Sequence, residues 1–250
     1  MNKYFYIPCP EFQRVSLELG GKSPLVVMPD VEVDKAVEVA HEAIFANHGQ
    51  NCCAGSRTFV HQDIYDEFVA KAAEMARRRT VGDPWSADSV QGPQINRTQL
   101  DKILGYIQQG REEGARVEAG GQRHGDKGYF VQPTVFSEVE DQMKIARDEI
   151  FGPVQSILKF SSLEEAIERA NRTSYGLAAG ILTNDITTGL QFSQAVQAGS
   201  VWVNCYDHTN AHTPFGGFKQ SGHGRELGPE GIKEYLEVKT VTIALKQKNS

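Results

Sequence analysis

Cysteine is scarce: Cys9, Cys52, Cys53 and Cys205 are the only four in 250 residues, too few for a disulfide framework at this length. The adjacent pair Cys52-Cys53 is poorly placed to bond to itself. No C-x-x-C spacing suggests structural zinc. A reducing compartment follows. Positive charge is not in excess, since the net charge is -6, which gives no reason to expect a nucleic-acid or anionic-membrane partner. Arg77-Arg78-Arg79 reads as a dipole-favoured helix end. No apolar run approaches the ~20 residues needed to span a bilayer. The start, Met1 to Pro10, has too short an apolar stretch for a signal peptide and too few arginines for a transit peptide. The cytoplasm is expected, with the mitochondrial matrix left open because the native start can lie upstream of Met1. Internal repeats and low-complexity segments are absent too.

What remains is an ordinary apolar content of 40% and 24 glycines, in a chain long enough to bury a real core. Leu25 to Met28 is a short, continuous apolar run, the mark of a buried parallel strand. Helical spacing of Val33, Ala36, Val37, Ala40 and Ile44 predicts a helix opened by Asp30. Further helices are expected over 64–79, 97–114, 163–171, 187–197 and 229–236, and strands over 58–60, 116–119, 129–131, 154–160, 177–182, 200–204 and 238–245. Strands alternating with helices argue for an α/β fold with a mainly parallel sheet. The last strand alternates Val, Thr and Ile with no partner next to it in sequence, which invites pairing with another chain.

Gly49-Gln50-Asn51-Cys52-Cys53-Ala54-Gly55 is the stretch best suited to chemistry. A thiol at the end of a helical run and before a small, flexible turn can be reached by a substrate, although free cysteines are more often buried apolar residues. Glu18, before Gly20-Gly21, reads as a base, as a partner of Lys22 or as a solvated acid. Asp148-Glu149 precedes Ile150-Phe151-Gly152-Pro153; such acids are commonly surface charges, but at a βα-type junction a carboxylate can hold a ribose diol. The loop from Gly216 to Gly228 runs G-x-G-x-x-x-G outside any βαβ unit, so it is not a phosphate cradle. His208 and His212 lack a third ligand at metal-site spacing.

Leu17 to Lys22, Gly49 to Cys52, Glu149 to Val154, Val201 to Asn204 and Pro214 to Gly222 together resemble the signatures of the NAD(P)-dependent aldehyde dehydrogenases. The likeness runs from Arg14 to Ser250 and is nearest the class 1 and class 2, retinal and acetaldehyde type, enzymes. It implies that Cys52 is the nucleophile that captures the aldehyde as a thiohemiacetal, and that Cys53 is its inert neighbour. Glu18 would be the general base that activates Cys52 and later the hydrolytic water. Cofactor contacts fall on Glu149, at the nicotinamide ribose, and on Phe151, Leu19 and Gly20. The substrate tunnel would include Ala46, Asn51, Cys53, Thr209 and Phe215. Ala46, where an aromatic is usual, and the polar run Tyr206 to Asn210 imply a wider, wetter tunnel. The implied reaction oxidises an aldehyde to a carboxylic acid through a thioester, with NAD rather than NADP as acceptor and the backbone N–H of Cys52 in the oxyanion hole.

Family members are about twice this long, so the likeness covers their C-terminal half. It implies an unrelated segment over 1–13, a remnant of the cofactor-domain edge over 14–20, a three-layer catalytic domain over 21–235, and an oligomerisation strand and tail over 236–250. The Rossmann-like cofactor domain, with the asparagine that completes the oxyanion hole, would be largely absent. Homotetramers, or mixed oligomers with full-length subunits, would form through the C-terminal strand. A catalytically silent, partner-modulating subunit is the alternative, and a cofactor-independent esterase using Cys52 and Glu18 a third reading.

Overall fold

Seven short strands form one sheet in the computed structural model, which describes residues 15–245. Near its centre lies β2 (Pro24–Val27), buried at all four positions because a strand covered on both faces must be apolar throughout. β2 pairs in parallel with β3 (Arg57–His61) and with β7 (Ala178–Leu182). Parallel pairing continues from β3 to β6 (Val154–Phe160), from β6 to β5 (Thr134–Ser137), and from β7 to β8 (Ser200–Val203). Only β4 (Arg116–Ala119) runs antiparallel, along the outer side of β5.

Because side chains alternate across a strand, Leu25 and Val27 face one helical layer and Val26 the other. The first layer is α1 (Val33–Phe45) and α2 (Tyr65–Arg78), packed with Val60 and Ile157. The second comprises α3 (Arg97–Glu112), α4 (Lys144–Arg147), α5 (Leu163–Asn171) and α6 (Ile186–Ala195), packed with Phe59, Phe136 and Leu158. Helix starts follow local chemistry: the side chains of Asn96, Ser162 and Asp185 accept hydrogen bonds from first-turn amides. The result is the expected α/β fold with a mainly parallel sheet, in three layers. No helix among the described residues is long and apolar enough to cross a membrane.

Four expectations change. Residues 129–131 form no strand, only a single bridge from Val131 to Arg123; the partner of β4 is β5, which the sequence reading passed over. Glu18 does not open a buried strand. It lies exposed in a two-residue strand, β1 (Leu17–Glu18), antiparallel to β9 (Gly222–His223) within the glycine-rich loop. Glu149 sits between α4 and β6, at the entry to a strand rather than at a βα junction. The segment after α7 (Gly228–Lys233) forms no strand: Val238 is 96% and Leu245 85% exposed, and a strand requires a hydrogen-bonding neighbour that this chain does not supply there. Residues 1–13, expected as an unrelated segment, and the tail beyond 245 lie outside the described residues, as does Cys9.

Candidate functional site

The loops entering β2, β3, β6 and β7 meet at one edge of the sheet, because these four strands are mutually parallel. That edge carries Glu18 to Lys22, Cys52 to Ser56, Glu149 to Pro153 and Thr173 to Leu177. It is the amino-terminal edge, opposite to the one at which open α/β sheets usually bind ligands.

Glycines bring the segments into contact. A Cβ on Gly21 would stand 2.5 Å from the Cys52 carbonyl oxygen, and one on Gly20 would stand 2.1 Å from Glu149 Oε2. Gly49, at φ +71°, lies so close to Gly152 that a Cβ would meet its carbonyl oxygen at 2.1 Å. The approaches at Gly21 and Gly49 are to backbone and closed to any side chain, whereas at Gly20 a Cβ would displace the Glu149 carboxylate. Asn47 and His48, ahead of Gly49, are left-handed as well, so α1 ends in a tight coil that aims Gln50 to Cys52 at the edge. The glycine-rich loop seals the cradle from outside. Buried Ser221 accepts from Gly176 N at 2.9 Å and donates to Gly20 O at 2.7 Å, and Leu19 N donates to Ser221 O at 2.9 Å.

The two cysteines differ sharply. Cys52 is half-buried, and its thiol is pulled down to about 7, first by a hydrogen bond from Cys53 and further by the N–H groups of Cys52 and Cys53; burial and the Glu18 charge oppose this. The direction favours the thiolate, the form that attacks. Cys53 is 3% exposed, and its thiol is pushed strongly up by its bond to Cys52, by burial and by Asp207. Its sulfur lies 3.2 Å from both Asn51 Oδ1 and Asp207 Oδ1.

Glu18 acts on Cys52 through its charge, and its own carboxyl is raised by partial burial and by Glu226. Both effects suit a base that must accept a proton. Glu18 and Lys22 form no ion pair. Lys22 is fully buried, and its Nζ has no hydrogen-bond partner among the described residues; burial, and then Arg57, lower it to about 7. Arg57 holds the Lys22 carbonyl through Nε at 2.8 Å and so ties this loop to β3.

Glu149 is half-buried, which raises its carboxyl, while Gly21 N donates to Oε1 at 3.1 Å. Oε2 accepts no hydrogen bond among the described residues and rests in the space that a Gly20 Cβ would fill. A carboxylate oxygen with no hydrogen-bond donor on it can accept from a diol, so the chemistry of this corner fits the ribose of a nicotinamide nucleotide. Phe151, left-handed at φ +59°, turns the chain from Glu149 into β6; Gly20 lies against the Glu149 carboxylate, and Leu19 N is bound to Ser221 O.

Of the tunnel candidates, Phe215 and Cys53 share a small apolar cluster with Cys52, Tyr206, Trp202 and Leu177. Asn51 is bound to Asp207 through Nδ2 at 2.8 Å and does not merely occupy space. Ala46 opens the coil after α1, and Thr209 lies on an exposed loop; neither belongs to the cluster. Sequence reasoning gave no individual role to Ser221, Gly21 and Gly49, and placed Asp207 only within the polar run at the tunnel, without its bonds to Asn51 and Cys53. For Asp207 the only signal was an acid in an otherwise neutral polar run. Among the described residues no group of three His, Cys, Asp or Glu is placed to hold a metal ion.

The model of the aldehyde dehydrogenase family matches residues 8–241. The chain is 57% identical over 238 residues to the mitochondrial aldehyde dehydrogenase of Homo sapiens, covering 95% of this chain and 46% of that protein. It is 60% identical over 232 residues to the mitochondrial benzaldehyde dehydrogenase of Antirrhinum majus, covering 93% and 43%. An NAD+ complex of the Bacillus cereus aldehyde dehydrogenase superposes with a TM-score of 0.91 at 49% identity, covering 93% of this chain and 48% of that one. The chain thus spans about half the length of the relatives it matches.

Proposed function

The chain belongs to the aldehyde dehydrogenase family, and from that premise we propose that it supplies the covalent machinery for oxidising an aldehyde to a carboxylic acid. The observation that carries this reading is the cradle itself: one five-residue loop bears Glu18, admits the Glu149 carboxylate at Gly20 and abuts Cys52 at Gly21.

Cys52 thiolate attacks the aldehyde carbon, and the oxygen becomes an alkoxide that the Cys52 N–H stabilises. Bound NAD supplies the acceptor for the hydride that leaves the adduct. Glu149, with Gly20, Leu19 and Phe151, would hold the ribose end of that nucleotide. A thioester remains on Cys52, and Glu18, its carboxyl raised, removes a proton from the water that releases the acid. The polar mouth at Asp207 and Thr209 and the small Ala46 suit a wider aldehyde than acetaldehyde.

The chain matches about 46% of the relatives, and the order of its motifs is the ground for reading it as the family's C-terminal half: a cofactor-domain edge over 14–20, a catalytic domain over 21–235, and an assembly segment from 236. The pyrophosphate turn and the second oxyanion donor would then lie in the part of the relatives that this chain does not span. Copies of this chain, or full-length subunits, would pair through Val238 to Leu245 and form tetramers. Three free thiols among the described residues suit a reducing compartment, the cytoplasm or the mitochondrial matrix.

The test is an assay of the purified chain for NADH formation and for hydrolysis of an activated aryl ester. Ester turnover should be present and should fall to the uncatalysed background in Cys52→Ala. A folded chain whose turnover survives that substitution would remove Cys52 from the mechanism. One that turns over neither substrate would leave only a structural role.

A further inference from the structure

Asp207 follows β8 on a segment that folds back along the sheet. Asn204 and Asp207 are both left-handed, at φ +60° and +56°. Tyr206 lies over Gly180, where a Cβ would meet its ring at 2.8 Å, and its hydroxyl donates to the Cys53 carbonyl at 2.8 Å. This return brings the Asp207 carboxylate to the two residues that bracket Cys52. Oδ2 accepts from Asn51 Nδ2 at 2.8 Å, and Oδ1 accepts from the Cys53 thiol at 3.2 Å. With its amide nitrogen committed to Asp207, Asn51 must turn Oδ1 toward Cys53, where it lies 3.2 Å from the sulfur and 3.3 Å from the backbone nitrogen. Burial already separates the two thiols, Cys52 being half-buried and Cys53 3% exposed, and this network adds a chemical difference to it.

We propose that Asp207 is a positioning residue that makes the two sulfurs unequal: its carboxylate ties Asn51 and the Cys53 thiol into one network, leaving Cys52 alone free to face the site. This rests on the reading of Cys52 as the nucleophile. A carboxylate beside a thiol accepts its proton and disfavours its thiolate, and Cys53 is pushed up by Asp207 in addition to its bond to Cys52 and its burial. Fixing the residues on either side of Cys52 also fixes the direction of attack, where a misplacement of about 1 Å costs on the order of a hundredfold in rate. The other charged or titratable groups that act on this pair are Glu18, at Cys52, and Tyr206, itself influenced by Arg57.

The test is alkylation of the 250-residue chain with iodoacetamide across pH 5 to 9, with each cysteine's adduct quantified by peptide mass spectrometry. Wild type should label at Cys52. Asp207→Asn keeps the shape and tolerates the left-handed backbone; it should raise the Cys53 share about fivefold, because the anion that disfavours the Cys53 thiolate is gone. Asn51→Ala breaks the same network from the other side and should also raise the Cys53 share, which covers the case of an Asp207→Asn chain that does not fold. A folded Asp207→Asn chain that labels only at Cys52 overturns the proposal. A wild-type chain that labels at neither sulfur overturns the nucleophile reading with it.

Discussion

The cradle at the amino-terminal edge of the sheet and the stretch from α7 to residue 245 are written in opposite ways. In the cradle the close-approach residues are answered inside the chain: Gly49 by Gly152, Gly20 by Glu149, Gly21 by Cys52, and Ser221 by Gly20 and Gly176. Past α7 the large apolar side chains lie open to solvent among the described residues. Tyr235, Val238, Val241, Ile243 and Leu245 are all at least 70% exposed. Apolar surface left in water forgoes about 25 cal/mol for each Å2 that burial would remove. The difference separates what this chain can stabilise alone from what it offers to another surface, and substitutions in the two regions should respond accordingly.

The largest effect is expected at Gly49. An alanine there must adopt φ +71° and place its Cβ against the Gly152 carbonyl. Left-handed strain alone costs about 1 to 3 kcal/mol, and the contact adds to it by prising the cysteine coil away from the Glu149 segment. Gly49→Ala should therefore lower the midpoint of urea unfolding and slow Cys52 alkylation together. If alkylation held at the wild-type rate, the contact would not be what positions Cys52.

Much of this was open to sequence reasoning, and the limits are instructive. Buried strands announced themselves as apolar runs and helices by spacing, so nearly all the main elements fell where expected; Asp30, expected to open α1, instead accepts from Thr183 and Asn184, and the helix starts at Val33 without a side-chain cap. β5 escaped because Thr134-Val135-Phe136 is short and follows Pro133, while the neighbouring Tyr129 to Val131 looked just as strand-like. Cys52, Glu18 and Glu149 were visible as motif residues. Their mutual contacts were not, since those depend on which glycines tolerate close approach across 30 to 200 positions of chain. Asp207 was marked only as part of the polar run Tyr206 to Asn210; its contacts with Asn51 and Cys53 depend on the chain doubling back over Gly180.

An intermediate effect is expected at the base. The Glu18 charge holds the Cys52 thiol up, against the hydrogen bonds that lower it to about 7. A like charge disfavours the anion, so its removal must favour the thiolate. In Glu18→Gln the alkylation midpoint of Cys52 should move to lower pH, making the thiol more reactive near pH 6, while release of acyl groups slows because no base remains to draw a proton from water. A burst of ester hydrolysis followed by a slower steady state would report both changes. A midpoint displaced upward would mean that Glu18 touches Cys52 through a proton it donates rather than through its charge.

The smallest effect on the folded chain, and the sharpest contrast with Gly49, is expected from Val241→Lys. Val241 is 70% exposed and Val238 96%, and among the described residues this segment belongs to no strand. Replacing an exposed residue of this kind should change unfolding stability by less than about 0.5 kcal/mol. Association should behave differently. An apolar, alternating edge segment gains from burial and from backbone pairing on a second chain, and a lysine placed there is the usual device by which edge strands resist such pairing. Sedimentation velocity should therefore show wild-type oligomers giving way to smaller species in Val241→Lys, with the unfolding midpoint and Cys52 alkylation unchanged. If the variant kept its oligomers, the exposed segment would not be the assembly surface. If it lost stability in proportion, the segment would be packed on its own chain, and the division between the two regions would fail.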